Sequence, residues 1–131
     1  MNKEQMQKAT FKDLIAKKIQ REQDKFKTKD ILVKSMGKVL TFVKPEESKI
    51  FDLMDELNAD SSMRTQIEYM RKLIYFSCPL LQDPQLHAEL EIKGEPFEVV
   101  EMLFDIADTN EIGEELIELL GMSKIDEEIK N

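Results

Sequence analysis

The sequence predicts a mainly α-helical fold with one β-hairpin between the first and second helices. From Pro45 to Leu120, apolar residues recur at the three- and four-residue spacing of amphipathic helices. Earlier in the chain, two β-branched runs flank Gly37, a pattern typical of a hairpin. The 131 residues include only four Gly and four Pro, which argues against a sandwich or low-complexity chain.

The length and the hydropathy pattern predict one domain. Two independent cores within 131 residues would each be marginal. The periodicity places a single helical domain at residues 10–122, with its hairpin near residues 30–43. Residues 1–9 lack apolar periodicity and are expected to fray, and residues 123–131 are expected to form an acidic tail. No apolar run reaches the ~18 residues of a membrane span and the start carries no secretory pattern, so we expect a cytoplasmic protein.

The first helix is predicted from a capping box at Thr10 and Asp13. A narrow apolar stripe follows on a helix whose other face is rich in lysine. Its members are Phe11, Leu14, Ile15, Ile19 and Phe26. Such a helix must dock on another surface to be stable. The hairpin that follows is marginal alone and must also lean on helices or on another chain.

The middle of the chain predicts two more helices. Pro45 and Glu46 open the second helix, which carries the apolar residues Ile50, Leu53, Met54 and Leu57. Residues 58–62 form a loop and cap before a third helix that ends before Pro79. The apolar face of that helix is wide, which indicates the central helix of the core. Its members are Met63, Ile67, Tyr69, Met70, Leu73, Ile74 and Phe76. The methionines Met54, Met63 and Met70 are expected in the core.

The C-terminal part predicts three further helices. Asp83 and Pro84 start a short helix with Leu86 and Leu90, and Pro96 starts the next. The apolar face of that next helix comprises Phe97, Val100, Leu103, Phe104 and Ala107. Thr109 or Asn110 is expected to cap the last helix, which Gly121 ends. The apolar residues of the last helix are Ile112, Leu116, Leu119 and Leu120.

The charge is unevenly distributed along the chain. The formal net charge is −8, with +7 on residues 1–44 and −15 on residues 45–131. The basic residues are mainly scattered lysines with few aromatic neighbours, which disfavours nucleic-acid recognition. The alternatives are that the basic third packs on the acidic remainder, that copies attract each other head to tail, or that a charged protein partner binds.

The residues that usually support catalysis are scarce. His87 is the only histidine and has no second His or Cys at ligand spacing. Cys78 has no basic neighbour in sequence to activate it, and the four glycines form no phosphate-binding loop. We therefore expect structural roles for His87 and Cys78, no cofactor, no metal site and no enzymatic activity.

One segment imitates a calcium loop. Asp108, Asn110 and Gly113 match positions one, three and six of an EF-hand, but Ile112 and Leu119 occupy two ligand positions. A helix start with a solvated acidic face explains the same residues. The eight methionines are compatible with an adaptable binding surface.

Four motifs follow one another between residues 80 and 122. They are Asp83-Pro84-Gln85-Leu86, then PFEVVEMLF from Pro96, then Glu111-Ile112-Gly113, and IELLGM from Ile117. This run resembles the PBSX-type (XkdN-like) phage tail assembly chaperones, in which a DPEL step precedes a VVxxLF helix, a GEI turn and a final helix ending near ELSGF. Here Glu and Ile precede Gly in the turn, and Leu-Gly-Met stands where Ser-Gly-Phe is common. Weaker similarity extends back to residues 41–44.

The resemblance implies a small α-rich protein of a phage or prophage tail module, acting in the cytoplasm of a bacterial host cell. Such proteins coat the long, aggregation-prone tape-measure protein while tail-tube subunits assemble around it. The implied partners are therefore the tape-measure protein and tail-tube subunits, and the action is stoichiometric binding. The resemblance transfers no catalytic residue.

Two apolar surfaces are candidates for covering the tape-measure protein. One is the N-terminal stripe of Phe11, Leu14, Ile15 and Ile19, and the other contains Phe97, Val100 and Phe104. The alternative function is a small regulatory or nucleic-acid-associated interaction module that uses the basic first 44 residues. DNA binding with a steep salt dependence would distinguish that module from a chaperone.

Overall fold

The computed structural model describes residues 6–60 and 62–121. The helices of this part are α1 (Phe11–Asp24), α2 (Glu47–Ala59), α3 (Met63–Ser77), α4 (Pro84–Glu89), α5 (Glu98–Leu103) and α6 (Ile106–Leu119). The strands are β1 (Thr28–Val33) and β2 (Lys38–Val43), and a short 3₁₀ helix spans Pro79–Gln82. The predicted mainly α fold, with one hairpin between the first two helices, is confirmed.

Residues 1–5 of the predicted frayed start, and the whole predicted tail at residues 123–131, lie outside the described residues.

One hydrophobic core draws residues from the hairpin, α2, α3, the 3₁₀ helix, α5 and α6, whereas α1 buries none of its residues. No helix in the described ranges is both long and apolar enough to span a bilayer.

The hairpin forms one wall of the core. β1 and β2 pair in antiparallel register, from Thr28 opposite Val43 to Val33 opposite Lys38. Gly37 has a φ of +64° in the connecting turn, a left-handed conformation that disfavours residues with a side chain. Strand alternation places four side chains on the buried face. They are Ile31, Val33, Leu40 and Phe42. The helices behind this face supply the support that an isolated hairpin lacks.

The third helix is the centre of the fold, as predicted. α3 packs against α2, α5, α6 and the 3₁₀ helix, and its Leu73 and Ile74 are fully buried. Met63 is an exception to the predicted core, because it is 77% exposed. As the first residue after the Ser62 cap, it lies beyond the helical turns that pack.

The boundary between the last two helices differs from the prediction. α5 ends at Leu103, and α6 begins at Ile106 with Asp105 as its cap rather than Thr109 or Asn110. The backbone N–H of Asp108 donates to Oδ1 of Asp105 at 2.8 Å. Thr109 lies fully buried within the helix, where its hydroxyl donates to the Asp105 carbonyl at 2.7 Å. The hydroxyl is therefore satisfied inside α6 and is not needed as a cap.

Replacing Asp105 with alanine is expected to cost about 1 kcal/mol of unfolding free energy, since it removes the cap of α6. Asn110→Ala is the matched control: Asn110 is exposed within α6, where alanine is the better helix former. Urea denaturation of both variants tests the assignment. A loss of stability from Asn110→Ala as large as that from Asp105→Ala would contradict it.

Candidate functional site

The first helix carries an apolar face that stays exposed. Phe11, Leu14, Ile15 and Ile19 are 79%, 64%, 45% and 50% exposed and are called the α1 stripe below. Phe26, predicted to continue the stripe, lies after the end of α1 and is also exposed. A stripe of this kind on a water-exposed helix is available to a binding partner.

The predicted capping box at the start of α1 is confirmed. The backbone N–H of Asp13 donates to Oγ1 of Thr10 at 3.3 Å, and the backbone N–H of Thr10 donates to Oδ2 of Asp13 at 2.8 Å. These bonds satisfy two backbone donors of the first turn and define where the helix begins.

Lysines flank the Phe11, Ile15 and Ile19 row of the α1 stripe on both sides. Because successive helical residues are about 100° apart, Lys12 and Lys18 each lie about 60° from Ile15, in opposite directions. Both lysines are exposed. The row of Phe11, Ile15 and Ile19 therefore lies between two lysines, whereas Leu14 lies beyond Lys18. The Lys18 ammonium also lies 3.9 Å from the Glu22 carboxylate.

Near its end, α1 meets the start of α2. The Arg21 guanidinium forms an ion pair with the Glu47 carboxylate. A cleft of about 600 Å³ lies here, and its lining includes Lys25, Lys44 and Ile50. The ion pair is exposed, and such pairs contribute little to stability. The sequence predicts that α1 must dock on another surface to be stable. Within the described chain, however, α1 buries none of its residues.

The second candidate surface is mostly core. Val100 is 0% exposed and Phe104 is 3% exposed, which corrects their assignment to a binding surface. Both pack in the hydrophobic cluster that is centred on α3. Phe97 is half-buried, and the Lys72 ammonium lies 4.9 Å from the centre of its ring. The α1 stripe is the predicted surface that solvent reaches.

Sequence reasoning missed a second exposed apolar group. Met102, Leu103 and Ile106 are 56%, 41% and 53% exposed where α5 turns into α6, and they are called the α5–α6 corner below. The sequence assigned Leu103 to the apolar face of a longer helix. If Asp105 is taken as the cap of α6, the segment divides into two helices at this point. The three side chains then lie at the exposed junction between α5 and α6.

The basic hairpin and the acidic last helix attract each other within the chain. The Lys29 ammonium lies 3.6 Å from the Glu118 carboxylate, and the Lys34 ammonium lies 3.7 Å from that of Glu111. The expectation that the basic third packs on the acidic remainder therefore holds for the hairpin. It does not hold for the α1 stripe and its lysine edges, which remain exposed.

His87 is engaged in packing and hydrogen bonding. Its Nε2 lies 2.7 Å from the Leu81 carbonyl oxygen, and its ring meets Tyr75 edge-on at 6.0 Å between centroids. Within residues 6–60 and 62–121, no group of three or more His, Cys, Asp or Glu side chains is placed to hold a metal ion.

The thiol of Cys78 is fully buried. Burial raises its pKa above the ordinary value, opposed by backbone hydrogen bonds at Leu81 and Leu80. We expect labelling by a disulfide reagent near neutral pH to be more than about a hundredfold slower in the folded protein than in urea. Because the folded pKa is raised, the thiolate fraction in the native state should also begin to rise only at higher pH than in urea. Equal rates in both states would contradict this placement.

The segment that imitates a calcium loop is helical. Asp108, Asn110 and Gly113 all lie inside α6, so they do not form the EF-hand turn. Gly113 instead faces α3, where an added Cβ would collide with the Met70 thioether. Its lack of a side chain permits close packing of the two helices.

Comparison with known proteins gives no match among protein-family models, curated proteins or solved structures. The α1 stripe and the α5–α6 corner are two exposed apolar surfaces of the described chain. Both are surfaces suited to protein contacts, with apolar centres and charged margins.

Proposed function

We propose that this protein is a tail assembly chaperone of a phage or prophage, which binds the tape-measure protein and keeps it soluble without catalysis. The α1 stripe carries the proposal. It places four apolar side chains on one exposed face of a helix that buries none of its own residues. The resemblance of residues 80–122 to that family supports the choice of partner.

The stripe suits contact with an apolar helix. Phe11, Ile15 and Ile19 recur at four-residue spacing, the arrangement by which helix faces interlock. From Phe11 to Ile19 the stripe extends about 12 Å along the axis, at 1.5 Å per residue. One copy therefore covers about two turns of a partner helix. Many copies are needed for a long tape-measure protein, which makes the action stoichiometric.

The test is co-expression with a large, helix-rich tape-measure protein, which this proposal expects to be encoded near this one. Size exclusion with light scattering on the soluble fraction would give the mass and the number of copies per partner. We expect co-elution in a large complex, with the partner insoluble when expressed alone. A partner whose solubility does not change would overturn the proposal.

The nucleic-acid alternative would use the exposed basic residues of the N-terminal third. Several of these already form ion pairs within the chain: Arg21, Lys29 and Lys34 each lie beside a carboxylate. The chaperone proposal predicts no binding of duplex DNA at about 50 mM salt. Binding that weakens steeply with added salt would favour the alternative.

A further inference from the structure

The last part of the described chain is strongly acidic. Residues 94–121 contain nine Asp or Glu and no Lys or Arg. The α5–α6 corner lies in this segment, so Met102, Leu103 and Ile106 share it with the exposed Glu101 and Asp105. The hairpin lysines pair with Glu111 and Glu118 on α6, whereas neither Glu101 nor Asp105 forms an ion pair within the described ranges. The corner is thus an apolar patch with negative margins.

The α1 stripe has the opposite charge. Residues 6–29 contain eight Lys or Arg against three Asp or Glu, a net of +5. Lys12 and Lys18 flank its row of Phe11, Ile15 and Ile19, and Lys18 also pairs with Glu22 within the helix. The stripe and the corner are both exposed in the same chain, so neither covers the other within one copy.

We propose that the α1 stripe of one copy docks on the α5–α6 corner of a second copy. Each surface is apolar at its centre, and the charges at their margins are complementary, which favours this pairing over stripe on stripe or corner on corner. Docking would also give α1 the apolar contact that a 14-residue helix needs in water. This contact uses the same stripe as the proposed function, so the tape-measure protein would compete with a second copy for it. It is tested on the isolated protein, so that failure of this contact and failure of the proposed function can be distinguished.

The difference between the two docking surfaces determines what kind of assembly forms. The donor and acceptor surfaces differ, so the contact is heterologous and leaves a free stripe and a free corner for further copies. Each surface has only three or four apolar side chains, and association has a large entropic cost, so the contact is expected to be weak. Its electrostatic part should weaken with salt.

Sedimentation velocity of the purified full chain over a concentration series tests the proposal. Two charge-neutral variants remove one surface each: Ile15→Gln/Ile19→Gln on the stripe and Met102→Gln/Ile106→Gln on the corner. We expect the average mass of the unmodified chain to rise with concentration and to fall in about 0.5 M salt. Each variant alone should raise the dissociation constant at least about tenfold.

Mixing the two variants is the decisive measurement. The stripe variant keeps its corner and the corner variant keeps its stripe, so an equimolar mixture should regain association. Phe51→Gln is the matched control, since Phe51 is an exposed apolar residue of α2 outside both surfaces. Circular dichroism should show all variants folded. A monomer at every concentration, association that survives either double variant, or a mixture that stays monomeric would overturn the proposal.

Discussion

Replacing Phe42 with alanine is expected to lower the unfolding free energy by about 3–5 kcal/mol. Phe42 is fully buried on the inner face of β2, in the same cluster as Leu73 of α3. Its removal takes away apolar contacts and leaves a cavity between the hairpin and the helices. Domains of this size are typically stable by 5–15 kcal/mol, so this loss is at least about a fifth of the unfolding free energy. Urea denaturation followed by circular dichroism measures the change.

Val39→Ala is the matched control on the same strand. Val39 points to the outer face of β2 and is 58% exposed. Its truncation should cost less than about 1 kcal/mol, mainly through lower strand preference. Equal costs at Phe42 and Val39 would mean that the hairpin does not pack on the helices, contrary to the fold described above.

The elements that sequence predicts well are those with local causes. Thr10, Ser62 and Asp83 each cap a helix through a hydrogen bond to a backbone N–H two or three residues ahead. Gly37 marks the hairpin turn because few other residues accept its backbone conformation. Such interactions lie within a few residues of sequence, where a pattern can reveal them.

The boundary between α5 and α6 shows where local patterns fail. Asp105, Thr109 and Asn110 are all competent cap residues within six positions. The choice among them depends on burial of Thr109 against the rest of the fold, which sequence does not display. One consequence was the misplacement of Leu103 and the missed α5–α6 corner.

The candidate site was predictable only in part for the same reason. The α1 stripe follows from its spacing on an otherwise polar helix. Whether an apolar face is core or surface depends on which element covers it, and Val100 and Phe104 are covered in the cluster centred on α3. Pairing of Lys29 with Glu118 joins residues that lie far apart in sequence, so composition gave attraction within the chain only as one of three alternatives and did not predict the contact.

The double variant Ile15→Gln/Ile19→Gln is expected to abolish solubilisation of the tape-measure partner. Fully burying an apolar side chain of this size stabilises a contact by about 1.5–3 kcal/mol. Ile15 and Ile19 are 45% and 50% exposed in the free protein, so losing both should weaken binding roughly ten- to a hundredfold. Glutamine is at least as good a helix former as isoleucine, so α1 should persist. The measurement is the soluble amount of partner in co-expression, which should fall to its level without this protein.

Lys17→Gln is the control for that experiment. Lys17 lies about 160° from both Ile15 and Ile19 around the helix, nearly opposite the two substituted residues, and is also exposed. It should leave solubilisation intact. Because α1 buries no residue, the double variant should keep the unfolding midpoint of the unmodified chain. A large drop in that midpoint would assign the stripe to the core. A folded double variant that still solubilises the partner would instead transfer the binding role to another surface.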